Sequence, residues 1–525
     1  MTELEPNAAG NDDAEIKRVQ SYVPGLDTIL CGGFLSGGVY LIQGLAGAGK
    51  TVLASQIIYS HAAQGERALF VTVLGENHGR MMAHLRPMRF FDESLVPDRV
   101  TYISAYQALD EDEGGLKGLT ALLRGEVQAR GPMLLVLDGL SAVEARAGSR
   151  FEMKRFTHEL QALALATDCT MFVLNSPSGA ASMPEHTLVD GVIELQQRIY
   201  ALRSERRLLV HKTRGSRYLE GEHPFRITDA GITVFPRIEA QFTFLTAPGS
   251  APRRRVSSGI ASLDGLLQGG LPAATMVSLV GPAGAGKTTL GLQFLSESSA
   301  GEPGLLFGCY ESPDRLRLKA ESMGLDLAAA EQRGGIELLW YPVGEHILDE
   351  LAYRLLEAVR RRGVKRLVID GVSGFQQAAL ELERMVRFWS VLSSELRVLG
   401  VTTLHTLELP ELMGAEIRAP LGGVSALAEV LILCAMSSCS PDYSASFRCS
   451  KCATARLIRR SVSSRSPMLG LSSANRSRAS KPSSAGWPGR LPRWRLVAQP
   501  RTAARTHPSS TAVQPDERTG PDCRR

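Results

Sequence analysis

Cysteine is scarce, eight in 525 residues, and Cys31, Cys169 and Cys309 each stand alone in apolar or Gly-rich context, the setting of reduced core thiols. No disulfide framework is read from them. Long apolar runs are also missing: none reaches the roughly 20 residues that span a bilayer. The start, Met1-Thr2-Glu3-Leu4-Glu5-Pro6, lacks the basic-then-apolar order of a signal peptide. The expectation is a cytoplasmic chain that makes no use of a membrane. Positive charge is lacking over most of the length. The net charge is +5, but Cys434 to Arg525 holds 15 Arg and 2 Lys against 3 Asp and 1 Glu, a net +13 that leaves about −8 for the rest. An acidic body gives no support for nucleic-acid binding.

What is present is ordinary globular composition, 44% hydrophobic and 22% charged. Single cores stop growing at roughly 250 to 300 residues, so two domains are the default. The chain in fact repeats itself. Val23-Pro24-Gly25-Leu26-Asp27 leads through Gly32-Gly33-Phe34 to the strand-like Val39-Tyr40-Leu41-Ile42-Gln43 and then Gly44-Leu45-Ala46-Gly47-Ala48-Gly49-Lys50-Thr51. Ile260-Ala261-Ser262-Leu263-Asp264 leads through Gly269-Gly270-Leu271-Pro272 to Met276-Val277-Ser278-Leu279-Val280 and then Gly281-Pro282-Ala283-Gly284-Ala285-Gly286-Lys287-Thr288-Thr289. A spacing of about 237 residues separates both pairs of landmarks, Asp27 from Asp264 and Gly44 from Gly281, so a whole domain is duplicated.

Each glycine-rich stretch follows a strand pattern and precedes a helical one, the context that GxxxxGK[ST] requires. A polyphosphate needs several donors close together. Glycines let loop N–H groups turn inward, and the following helix adds its positive end. Gly44, Gly47, Ala48 and Gly49, and likewise Gly281, Gly284, Ala285 and Gly286, supply such loops for ATP. Lys50 and Lys287 are placed for the β- and γ-phosphates, and the hydroxyls of Thr51 and Thr288 for Mg²⁺, with Thr289 following. Met133-Leu134-Leu135-Val136-Leu137 and Arg366-Leu367-Val368-Ile369 end in Asp138 and Asp370, which would hold the same metal; an Asp at a strand end is about as often a helix cap. Glu76 and Glu311, after the next strands, are candidates to orient the attacking water. Continuous apolar strands alternating with helical segments predict α/β domains with mainly parallel sheets flanked by helices.

Together the P-G-L-D and S-L-D lead-ins, the G-G-[FL] steps, the two P-loops and Tyr310-Glu311-Ser312-Pro313 resemble the KaiC group of RecA-like ATPases over roughly residues 18 to 433. The resemblance implies a regulatory or signalling ATPase that forms a hexameric ring and serves a protein partner. A DNA-handling ATPase of the recombinase or helicase type shares the fold and stays the alternative. Family members carry two adjacent glutamates where Gly75-Glu76 and Tyr310-Glu311 stand, so slow hydrolysis is expected. Lys212-Thr213-Arg214-Gly215 resembles the family's K-x-R-G segment, which reaches the nucleotide of the neighbouring subunit. Without the resemblance Lys212 and Arg214 read as strand-edge charges. Relatives with a phosphorylation clock have a Ser-Thr pair where Ser425-Ala426 stands; with one acceptor gone, autokinase activity is not inherited.

The expected organisation is a disordered N-terminus over 1–17, a first ATPase domain over 18–245, a Pro/Gly-rich linker over 246–255, a C-terminally truncated second domain over 256–433 and a disordered basic tail over 434–525. In that tail hydrophobic periodicity stops. Cys434, Cys439, Cys449 and Cys452 invite comparison with a zinc knuckle. The preferred reading is a change of frame near Leu433. In a neighbouring frame, suitable codons give K-V-R and D-A-G-L, parallel to Lys212-Thr213-Arg214 and Asp229-Ala230-Gly231-Ile232. Sequencing the coding DNA decides it, since an uninterrupted frame shared with close relatives would rule it out.

Overall fold

Apolar runs without alternation must be covered on both faces, and the runs ending in Asp138 and Asp370 are buried from 134 to 137 and from 367 to 369. The computed structural model describes residues 17–73, 78–110, 114–176, 188–242, 254–409, 428–437, 444–452 and 462–464. Residues 246–253 of the 246–255 linker, Glu76 and the Ser425-Ala426 pair lie outside them.

The first repeat is built on a nine-stranded sheet. Its strands are β1 (Val39–Gly44), β2 (Ala68–Thr72), β3 (Val100–Ser104), β4 (Leu134–Asp138), β5 (Thr170–Asn175), β6 (Gly191–Tyr200), β7 (Arg203–Thr213), β8 (Glu222–Thr228) and β9 (Gly231–Val234). Their spatial order is β9-β8-β7-β6-β1-β5-β4-β2-β3. The six strands from β6 to β3 run parallel, and β7, β8 and β9 are added antiparallel. The second repeat follows the same plan with β10 (Met276–Gly281), β11 (Gly304–Gly308), β12 (Ile336–Trp340), β13 (Arg366–Asp370), β14 (Thr402–Glu408) and β15 (Val430–Ser437). Their order, β12-β11-β13-β14-β10-β15, matches β3-β2-β4-β5-β1-β6, as the duplicated sequence requires.

Beyond β15, β16 (Ser444–Cys452) and β17 (Val462–Ser464) pair antiparallel in succession. Strand structure therefore enters the stretch read from sequence as a tail. β16 takes the place of β7: Lys451 stands opposite Leu431 as Lys212 stands opposite Val192. The residue two further on is Ala453 where the first repeat has Arg214, so the paired cations of K-x-R are not repeated. Cys434 and Leu195 hold equivalent places, since a Cβ on Gly281 would collide with the Cys434 carbonyl and one on Gly44 with that of Leu195. Of the three cysteines read as core thiols, Cys169 and Cys309 are buried and Cys31 is exposed. A core thiol needs its own side of the chain turned inward, and Cys31 sits in a positive-φ turn (φ 52°) between buried Leu30 and Gly32.

The repeats meet through charge and a shared apolar seam. The helix α3 (Leu348–Arg362) is ordered by its own polarity, with Asp349 and Glu350 in the first turn, three arginines in the last, and Gly363 closing it at φ 62°. Its buried acids face the first repeat: Arg226 Nε donates to Glu350 Oε2 at 2.7 Å. Arg384 bridges Glu239 and Asp349, and Arg207 bridges Glu222 and Glu381. Ile238 is buried in the second repeat's core beside Leu348 and Met385. Among the described residues no helix is long and apolar enough to cross a membrane.

Candidate functional site

In an open parallel sheet, ligands bind outside the carboxyl ends of the strands. β1 is central there, and its end turns into the 44–49 loop with Gly47 at φ 78° and Gly49 at φ 109°, conformations that a side chain disfavours. Lys50 then opens α1 (Lys50–Ala63), so four helix N–H groups point back at the loop. Lys50 Nζ donates to Gly44 O at 2.7 Å and Leu45 O at 3.1 Å, which holds the ammonium across the loop mouth. Burial lowers its pKa, and Asp138 opposes that shift. β4 brings Asp138 beside β2, with register Thr72 to Asp138, and Thr51 Oγ1 donates to Asp138 Oδ2 at 3.3 Å.

The second loop repeats this geometry. Lys287 opens α2 (Lys287–Ser296), and its Nζ donates to Gly281 O at 2.9 Å and Pro282 O at 2.7 Å. Burial depresses this lysine's pKa too, opposed in turn by Glu408, the Cys434 thiol and Asp370. Asp370 accepts from Thr406 Oγ1 at 2.7 Å, while Thr406 Oγ1 also accepts from Gly371 N at 2.8 Å. Desolvation raises the Asp370 carboxyl above the usual carboxylate range; hydrogen bonds from Thr406 and Thr288 oppose this, and nearby Glu311 adds to it. Hence Thr51 with Asp138, and Thr288 with Asp370, are brought together as oxygen pairs of the kind Mg²⁺ takes. The donor set fits that ion.

Glu311 is near Asp370, and its Oε1 accepts from Lys319 Nζ at 2.8 Å. Gly308 pairs with Asp370, and Glu311 is the third residue past Gly308; Glu76 lies outside the described residues. Lys212 and Arg214 do not join the phosphate loop of their own repeat. β7 is antiparallel, so its end lies at the amino ends of the parallel strands: Lys212 pairs with Val192, which pairs with Leu41. Lys212 Nζ donates to Val189 O at 2.7 Å, and Arg214 is exposed. Two residues escaped the sequence reading, Thr406 and Glu408. Sequence shows only a third apolar strand ending in polar residues, Thr406-Leu407-Glu408; the register that sets it level with the P-loop is seen in the structure.

Two tandem parallel sheets, each with a glycine-rich loop, a capping lysine and a Thr–Asp oxygen pair at the carboxyl ends, define a double RecA-like P-loop ATPase fold. The family model "ATPase: KaiC" matches residues 19–239 and again 256–430. The chain therefore belongs to the KaiC family of ATPases. It is 28% identical over 385 residues to the circadian clock oscillator protein KaiC of Picosynechococcus sp., covering 70% of this chain and 73% of that protein. It is 27% identical to KaiC 1 of Synechocystis sp., over 68% of this chain and 70% of the relative. For KaiC of Prochlorococcus marinus the identity is 25%, over 70% and 75%.

Proposed function

We propose that this chain is a Mg²⁺-dependent, cytoplasmic ATPase that assembles into a homo-oligomeric ring of six and transmits its nucleotide state to a protein partner. The observation that carries the reading is the pairing of two complete phosphate loops with a Lys212–Arg214 pair at the opposite end of the first sheet. A cation pair at the end of the sheet opposite its own loop lies on the side that a neighbouring protomer's loop could meet, which supports a nucleotide site shared between protomers. The relatives' name, circadian clock oscillator protein, supports a signalling output.

Within each site the roles divide by geometry. Loop amides and Lys50 or Lys287 bind and orient the β- and γ-phosphates. Thr51 with Asp138, and Thr288 with Asp370, would hold Mg²⁺, which neutralises phosphate charge when bound. Glu311 orients water at the second site, and Glu76, by its place in the sequence, is assigned the same role at the first; Arg214 and Lys212 stabilise the γ-phosphate of the adjoining protomer. A lone carboxylate per site makes turnover slow.

Sedimentation with and without ATP, beside the steady-state ATPase rate, tests this for wild type, Lys50→Ala and Lys287→Ala. Lys50→Ala is expected to weaken assembly more, because the first repeat alone keeps the cation pair. Equal or reversed effects count against the ring interface proposed, and ATP-independent assembly with no turnover defeats the reading. Salt-sensitive binding of single-stranded DNA by a chain lacking residues 467–525 would instead indicate the DNA-handling class.

A further inference from the structure

The two phosphate loops differ in what stands beside the lysine. In the first repeat, β5 ends at Asn175, level with Gln43, and the next residue is Ser176. In the second, β14 runs one residue further, and Glu408 pairs with Gly281, the first residue of the loop. Leu409 N donates to Gly281 O at 3.2 Å, the same carbonyl that accepts from Lys287 Nζ at 2.9 Å. The end of β14 and the loop lysine are thus fixed to one atom, and Glu408 is exposed beside them. Among the charges acting on Lys287, Glu408 outranks Asp370, whereas Asp138 is the carboxylate acting on Lys50. The first repeat has an acid on the other flank of its P-loop strand, Glu194, but its Oε2 is paired with His211 Nε2 at 2.5 Å. At the second site Lys319 is already engaged by Glu311, so it does not offset Glu408.

We infer that Glu408 sets the affinity of the second nucleotide site: held by the strand register level with Gly281, the first residue of the loop, its negative charge opposes the triphosphate that Lys287 receives. This rests on the nucleotide-site reading above. Coulomb repulsion grows with ligand charge, so a carboxylate fixed at the loop mouth disfavours metal-free ATP, with about four negative charges, more than the magnesium complex, with about two. The second site is thereby selective for metal-complexed nucleotide and weaker than the first.

The test uses the full chain carrying Lys50→Ala, so that the second loop alone retains its lysine. A fluorescent ATP analogue is titrated with excess Mg²⁺ and again with EDTA. Adding Glu408→Gln, or Glu408→Ser to copy Ser176, is expected to tighten binding by roughly threefold with Mg²⁺ and roughly tenfold in EDTA, at low salt where the carboxylate is least screened. Unchanged or weaker binding in both conditions overturns the inference. Weaker binding confined to Mg²⁺ also overturns it, because Glu408 would then be a metal ligand. A separate control guards the underlying reading. If Lys50→Ala with Lys287→Ala binds as tightly as Lys50→Ala alone, the loop is not the nucleotide site, and the site assignment fails rather than the role of Glu408.

Discussion

Arg384→Met deletes a cation at a buried contact between the two repeats. The guanidinium holds Glu239 with two bonds, Nε to Oε1 at 2.9 Å and Nη2 to Oε2 at 2.7 Å. It holds Asp349 with two more, Nη1 to Oδ2 at 3.1 Å and Nη2 to Oδ1 at 2.9 Å. Asp349 is 1% exposed, and its remaining partner is the Ile238 N–H at 3.4 Å. Burial already raises the Asp349 carboxyl above its ordinary value, with Arg384 the main opposing influence. Removing one partner of such a pair leaves an uncompensated buried carboxylate, which costs about 3 to 5 kcal/mol.

The loss has a pH signature whose sign follows from linkage. With Arg384 gone, the folded-state carboxyl pKa rises further above the unfolded value. Ionised Asp349 then penalises folding at pH above that raised pKa, and the penalty fades as pH falls and the carboxyl protonates. Urea unfolding followed by tryptophan fluorescence at pH 8 and pH 5.5 is therefore expected to show the full deficit at the higher pH. The deficit shrinks by about 1 kcal/mol or more at the lower one. Asp349→Asn added to Arg384→Met recovers most of the loss at pH 8, because the two residues share one interaction. A deficit under about 1 kcal/mol at pH 8, the range of a surface pair, or one independent of pH, refutes the argument.

The two loops are expected to respond unequally to the same change. Alanine at Gly49 (φ +109°) puts a Cβ 2.8 Å from Ile227 Cδ1, while at Gly286 (φ +85°) it meets nothing within 4 Å. Left-handed strain of about 1 to 2 kcal/mol applies to both, and overpacking of about 1 to 3 kcal/mol only to the first. Chemical denaturation of the two variants compares them, and equal losses would mean that packing of β8 on the loop contributes nothing. Asp370→Asn is expected to stabilise the nucleotide-free protein by about 1 kcal/mol, because the raised carboxyl pKa means that ionised Asp370 opposes folding at neutral pH. ATPase activity of the second site falls at the same time; a lower melting temperature would contradict the sign.

The legible parts of this molecule are those whose physics is local. Lys50 and Lys287 are placed by six consecutive residues and a helix start, so spacing alone located both loops, and duplication made the strand order of one repeat a check on the other. Asp138 and Asp370 were legible because a buried strand has to end in the site. Glu408 was not, since its position depends on the register of β14 against β10, a contact between segments far apart in sequence. The reach of Lys212 was likewise hidden until the antiparallel run of β7 showed which end of the sheet it occupies. The same dependence on register explains how two nearly identical loops come to differ. The glycines and lysine are set within each loop. What surrounds them comes from elsewhere: Ile227 and Ile232 from β8 and β9 against Gly49, and Glu408 from β14 beside Lys287. Substitutions at those outer positions are therefore expected to change one site's packing or charge while leaving the shared phosphate cradle in place.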